Sequence, residues 1–253
     1  MSEIEEDRQE TFISHLVELR DRLLRAILSI FIIFLALFAW RNEIYTFLLS
    51  PLSVVLPEHS SVIATEVTAP FLVPIKVTLM VAFLVALPYV LWQIWAFIAP
   101  GLYQNEKRLV LPVIVSSVAL FFVGIAFAYF VVFPFIFKFF ASVTPEGVNM
   151  MTDMDKYWSF ALTMFLAFGA TFETPVVVLV LVIMEVVSVK QLKEARPYII
   201  VGAFALAAVI TPPDVLSMLF LAFPLWFLYE FGVFLAGFLR KRRIGNEEQE
   251  TES

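Results

Sequence analysis

YWSFALTMFLAFGATFETPVVVLVLVIM, from Tyr157 to Met184, decides what kind of protein this is. The stretch is uncharged but for one acid, Glu173. At the ~1.5 Å rise per residue of an α-helix it is long enough to cross a ~30 Å hydrocarbon core. An ionisable group at that depth costs roughly 2.5–3.5 kcal/mol on insertion scales. A chain keeps such a group where it faces protein or water rather than lipid. The same stretch therefore predicts a membrane fold and a polar feature that the fold alone does not require. Pro175 lacks the N–H that would meet the carbonyl of Thr171, which loosens the helix beside the acid.

Five further apolar runs flank it: Leu23–Trp40, Val73–Ile98, Leu109–Phe133, Pro197–Ile210, and one that starts at Val215 and reaches the interface between Tyr229 and Leu239. Together they predict an all-α, polytopic membrane protein with six transmembrane helices. The composition agrees, with 61% hydrophobic and 16% charged residues and a mean hydropathy of +0.90. A soluble domain is about half apolar and about a quarter charged. The fifth run is short. About fourteen helical residues rise roughly 21 Å, so the bilayer thins there or neighbouring helices shield the ends.

Lys and Arg residues give the orientation, because they concentrate in cytoplasmic connections. Arg41, Lys76, Lys138 and Lys156 fall on one side, and the rest of the 17 on the other. Both termini are thus expected in the cytoplasm. The formal charge of -6 collects in acidic ends. Residues 1–10 read as a disordered cytoplasmic tail, 11–240 as the membrane domain and 241–253 as a charged cytoplasmic tail. The first apolar run lacks a small-residue cleavage site and is expected to be retained. Trp40 and Trp158 fall at outer ends of spans, Trp92 and Trp95 near an inner end, as interfacial anchors do; simple packing is the alternative. Between Arg41 and Phe71, and from Pro134 to Val143, apolar pieces read as segments lying in the outer interface. Thr211-Pro212-Pro213-Asp214 is a turn with almost no slack.

The chain has no cysteine, and its two histidines, His15 and His59, lie outside the spans. There is no phosphate-binding loop and no zinc-type histidine pair. No enzyme, metal or cofactor is expected, and the net charge argues against nucleic acid. The N-terminal stretch TFISHLVELRDRLLR reads as an amphipathic helix with Phe12, Leu16, Leu19 and Leu23 on one face. Glu18 and Arg22, and Asp21 and Arg25, stand in the favourable acid-first order four apart. Glu106 follows the Pro100-Gly101 turn, in the first turn of the third helix, where a carboxylate complements the helix dipole. Ordinary structural roles account for both acids. Both are also expected at the cytoplasmic surface, where two carboxylates suit two guanidinium groups. Ser188 and Gln191 form a capping-box pattern that starts a short helix, expected to end before Pro197.

HLVELRDRL, LLSPL, FIAPGLYQNEKR, FAYFVVFP, FGATFETPV, RPYIIVGAF and TPPDVLS occur in that order. The series resembles the TatC family, the core receptor subunits of the twin-arginine protein translocase, over residues 10–240. The resemblance implies six spans in a curved, concave arrangement with short fifth and sixth helices, in a bacterial plasma (inner) membrane. It implies binding of twin-arginine signal peptides of folded cargo. The partners it implies are TatA-like and TatB-like single-span proteins and further copies in a larger receptor complex. Transport would be driven by the proton-motive force without a nucleotide. Carried over residue by residue, signal binding falls on Glu18, Arg20, Phe97 and Glu106. The intramembrane acid falls on Glu173. With Thr171 and Thr174 beside it in sequence, this acid is also expected, on its chemistry, to be a polar docking point for a partner helix. Outer-side functional positions fall on Pro51 and Asp214. Two other functions compete: a proton-coupled secondary transporter using Glu173, which predicts solute uptake by this chain alone, and a purely structural scaffold, in which Glu18 and Glu106 are dispensable.

Overall fold

A backbone surrounded by lipid must satisfy its own N–H and C=O groups, and long apolar segments do so as helices. The computed structural model describes residues 2–53, 61–98, 110–145, 151–211 and 214–251. The elements are α1 (Ser2–Leu37), a 3₁₀ turn (Phe38–Trp40), α2 (Arg41–Ser53), β1 (Ser61–Ile63), α3 (Ala69–Ile98) and α4 (Val110–Phe127). A π-helical turn (Ala128–Val132) leads into α5 (Phe133–Val143), then β2 (Met151–Asp153), α6 (Met154–Phe172), α7 (Thr174–Ile183), α8 (Val189–Ile210) and α9 (Val215–Thr251). Five stretches among the described residues are long and apolar enough to cross a membrane: Ile13–Leu49, Ala69–Ile98, Leu111–Val143, Met154–Ile183 and Val215–Leu239. The remaining expected span, 197–210, is the latter part of α8. Met154–Ile183 has 30 residues, against 22 for α8 and 25 for Val215–Leu239. The fifth and sixth are thus the shorter ones, although the sixth has length enough to span. This is a multi-pass membrane protein.

Two prolines do less than their local chemistry suggests. Pro134 was expected to open a separate interfacial segment, but the helix runs through it to Val143. The π-helical turn just before it shifts the hydrogen-bond register, so the missing proline N–H falls where the α-helical ladder is already interrupted. Pro197 likewise does not end its helix: α8 continues to Ile210. The capping box at its start is present, with Gln191 N donating to Ser188 Oγ (3.2 Å) and Ser188 N donating to Gln191 Oε1 (2.8 Å).

The chain forms two compact units, Met1–Phe47 with Pro74–Val118, and Leu48–Val73 with Ala119–Ser253. In the first, Trp95 is buried and its indole N–H donates to Ser117 Oγ at 3.1 Å. Trp95 therefore packs between α3 and α4 instead of anchoring at an interface, while Trp92 is exposed.

In the second unit β1 and β2 pair in parallel, Ser61 with Met151 through Ile63 with Asp153. Asp153 caps α6 by accepting from Lys156 N (2.9 Å), and also accepts from the backbone N–H and hydroxyl of Thr65. α4 and α6 cross at glycines: a Cβ on Gly124 would lie 2.5 Å from the Phe168 carbonyl oxygen, and one on Gly169 would lie 2.5 Å from the Phe121 ring. Small residues admit such close backbone approach in membranes. α8 and α9 are tied by Tyr229, whose hydroxyl donates to the Leu192 carbonyl (2.8 Å), and by Arg196 Nη2 to Glu230 Oε2 (2.6 Å).

Candidate functional site

In the first unit the chemistry gathers on α1. Its good helix formers carry the helix from Ser2 to Leu37, and the apolar side chains Leu16, Leu19 and Leu23 remain exposed. Glu18 stands one turn after His15 and one before Arg22. Arg22 donates from Nε (2.9 Å) and Nη2 (2.7 Å) to Glu18 Oε1, and from Nη1 to Gln93 Oε1 (3.4 Å) on α3. Gln93 is buried. The other carboxylate oxygen of Glu18 lies 3.8 Å from His15 Nδ1. That separation is too long for a hydrogen bond, and it is an ion pair only when His15 is protonated. The His15 ring stacks on Phe97 of α3, with centroids 4.2 Å apart and planes 15° apart. Glu18 and Phe97, far apart in sequence, are thereby joined through His15. Asp21 was expected to pair with Arg25 but takes both donors of neighbouring Arg20, Nε (3.0 Å) and Nη2 (2.8 Å), whose long side chain can fold back along the exposed helix surface. A hollow of about 350 Å³ opens beside these groups, lined by Ser14, Val17, Glu18, Asp21, Arg22 and Arg25. Glu106 lies outside the described residues.

The second unit holds the intramembrane acid. Glu173 is the junction of α6 and α7 at φ −72°, ψ −16°. Its N–H donates to Ala170 O (3.1 Å), and its carbonyl accepts from Val176 and Val177 (both 3.0 Å). The break falls where Pro175 removes a donor, as its position predicts. Glu173 and Thr174 are half-buried and Thr171 is buried. α9 reaches the break through Gly232, where a Cβ would lie 2.9 Å from Pro175 Cα.

The third place is the start of α9. Asp214 Oδ1 accepts from Ser217 N (2.7 Å), an N-cap bond that sets the helix start. Asp214 Oδ2 and the Ser217 hydroxyl are buried without a hydrogen-bond partner among the described residues. Pro212 and Pro213 lie outside the described residues. Pro51 lies within α2, with its side chain outside the described set.

Sequence reasoning missed two members of the first site. His15 was signalled by its i, i+3 spacing to Glu18, while Gln93 carries no local signal because it arrives from 71 residues away. No group of three or more His, Cys, Asp or Glu side chains among the described residues is arranged to hold a metal ion.

The family model described as "Sec-independent protein translocase protein (TatC)" matches residues 14–224. A protein of that description from Azotobacter chroococcum mcd 1 is 52% identical over 236 residues, covering 93% of this chain and 92% of the relative. The Escherichia coli (strain K12) protein of the same description is 48% identical over 243 residues, covering 96% and 94%. Among solved structures, "Twin Arginine Translocase Receptor- TatC" is similar with a TM-score of 0.77 and 37% identity, covering 88% of this chain and 98% of that one. The same receptor in DDM gives 0.79 and 38%, covering 88% and 99%.

Proposed function

The chain belongs to the TatC family of Sec-independent protein translocase proteins, and on that premise we propose that it is the receptor and core subunit of a twin-arginine translocase. It binds the paired arginines of signal peptides on folded cargo at a cytoplasmic face formed by Glu18, Arg20, Phe97 and Glu106. The observation that carries this is the joining of Glu18 to Phe97 through the stacked His15 ring. A carboxylate beside a stacked aromatic pair is chemistry that suits a guanidinium group, which forks onto carboxylates and packs against rings.

The membrane is the bacterial inner membrane, crossed six times with both termini cytoplasmic, and export draws on the proton-motive force. Glu173, with Thr171 and Thr174, docks a polar side chain from the span of a TatA-like or TatB-like partner. Pro51 and Asp214 act on the outer side. A polar docking role predicts that Glu173→Gln retains more export than Glu173→Ala. If Gln abolishes export as fully as Ala, ionisation itself is needed and docking alone fails.

The deciding experiment for the receptor role is photocrosslinking from position 97 to a signal peptide carrying Arg-Arg, with a Lys-Lys peptide as control. Crosslinking to Arg-Arg that weakens with Lys-Lys, and is lost in Glu18→Ala, supports the site. Equal crosslinking to both peptides overturns it.

A further inference from the structure

We propose that Arg22 is a built-in occupant of the Glu18 carboxylate, which a signal-peptide arginine must displace in order to bind. This deepens the receptor role and rests on Glu18 being a signal ligand.

The Arg22 guanidinium presents Nε and Nη2 to one oxygen of Glu18, at 2.9 and 2.7 Å. Those are the donors, in the same fork, that an arriving arginine offers. An acid-first pair four apart forms on many helices and by itself signifies little. Here the cation has a second acceptor, Gln93 Oε1 on α3, at 3.4 Å from Nη1. Gln93 is only 6% exposed, so its carbonyl has little water to turn to. Arg22 thus has somewhere to go: it can surrender Glu18 and keep a partner.

Coverage of the pair has the matching asymmetry. The side chain of Arg22 is 24% exposed and that of Glu18 36%. The anion is the more reachable member. One of its oxygens is taken, and the other faces His15 at 3.8 Å without a hydrogen bond between them. An incoming guanidinium meets the open oxygen first, then completes its fork as Arg22 shifts towards Gln93. The hollow lined by Ser14, Val17 and Asp21 gives it room.

Occupancy by Arg22 lowers the apparent affinity of every ligand for Glu18 by one common factor, the fraction of chains in which Glu18 is free. It does not alter the ratio between Arg-Arg and Lys-Lys ligands. It raises the threshold, so that a lysine pair, already weaker because an ammonium cannot fork, falls out of the useful range.

The test is fluorescence anisotropy of synthetic signal peptides carrying Arg-Arg or Lys-Lys, titrated with the full chain in lipid nanodiscs. Arg22→Ala should tighten both peptides by the same factor, up to about tenfold, and Arg22→Lys by roughly twofold. The lysine variant is decisive. It keeps the positive charge and loses the fork, so relief of charge repulsion predicts no change there. In a Glu18→Ala background, Arg22→Ala should give no tightening. Gln93→Met, which removes the resting place, should weaken both peptides by roughly two- to threefold. If Glu18→Ala leaves binding intact, the receptor site itself is misplaced. If Glu18→Ala weakens binding but Arg22→Lys and Arg22→Ala do not tighten it, only the displacement idea falls. Should the Arg22 variants fail to fold, Gln93→Met decides alone, and unchanged or tighter binding overturns the proposal.

Discussion

Two helix pairings in this chain are held by opposite means. α1 meets α3 through polar and aromatic side chains: Arg22 reaches Gln93, and His15 lies on Phe97. α4 meets α6 where side chains are missing: Gly124 sits under the Phe168 carbonyl and Gly169 under the Phe121 ring. Long polar side chains change partners at small cost because water or another partner replaces each bond. Backbones in contact cannot separate without losing many close-packed contacts together. The first pairing is suited to receiving a ligand, the second to holding a shape while that happens.

The largest expected effect lies at the glycines. Gly124→Val should cost about 2–4 kcal/mol or prevent folding, because its Cβ meets a main-chain carbonyl that no rotamer change can move. Gly169→Ala meets a ring instead, so pairing it with Phe121→Leu should recover part of the loss. Thermal unfolding in detergent measures both. If Gly124→Val unfolds like the unaltered chain, the α4–α6 crossing does not hold the second unit together.

The polar pairing should respond the other way. Glu18→Ala removes a partly exposed ion pair, so its stability cost should stay within about 1 kcal/mol. The same change should weaken binding of an Arg-Arg peptide by roughly 1.5–3 kcal/mol, the scale of a charged hydrogen bond. A large drop in unfolding temperature with unchanged peptide affinity would reverse the contrast and make Glu18 a structural residue.

The sequence shows clearly what depends on neighbours in the chain and little of what depends on distant partners. The apolar runs, the break at Glu173-Thr174-Pro175 and the Ser188 capping box follow from local chemistry, and all three are present. Pro134 and Pro197 look like helix ends for the same local reasons, yet the chain continues as a helix: a π-helical turn precedes Pro134, and α8 runs through Pro197 to Ile210. The β1–β2 pair is invisible because three-residue strands carry no period and pair across 90 positions, Ser61 with Met151. Gln93 could not be foreseen beside Arg22 for the same reason. For the candidate site, the sequence marks Glu18 and its pairing with Arg22, but not the His15 ring on Phe97 or the Gln93 acceptor of Arg22.

Asp153 is a middle case, a polar clasp within the unit that contains the α4–α6 glycine crossing. Its carboxyl is pushed down from 3.8 to about 2, chiefly by the Thr65 hydroxyl and then by the Lys156 amide. A carboxyl depressed by folding contributes its stabilisation in full above its unfolded value, near ~3.9, and loses it as pH falls through the folded one. The clasp should therefore be intact at pH 5 and open as pH drops from roughly 4 to 2. Hydrogen exchange at the Thr65 amide reads this directly: protection should fall over that range in the unaltered chain. In Asp153→Asn, which cannot titrate, it should stay low and flat. Equal protection in both chains at pH 5 would show that the strands hold without the clasp.

The smallest expected effect separates glycine as a residue type from glycine as a contact. Gly202 lies inside α8, and a Cβ there would meet nothing within 4 Å. Gly202→Ala should therefore stabilise the isolated chain by about 0.5–1 kcal/mol, the ordinary helical difference between the two residues. Its sign should be opposite to that of Gly124→Val in the same unfolding experiment. The two positions contrast packing, since both are glycines inside helices and only Gly124 has a neighbour where a Cβ would stand. A loss of stability at position 202 in the isolated chain would mean that these helices need glycine's backbone freedom throughout, and the α4–α6 crossing would lose its special standing. A gain in the isolated chain, with a loss once partner proteins are added, would place a second protein against this face of α8 at the close approach that Gly124 already gives within the chain.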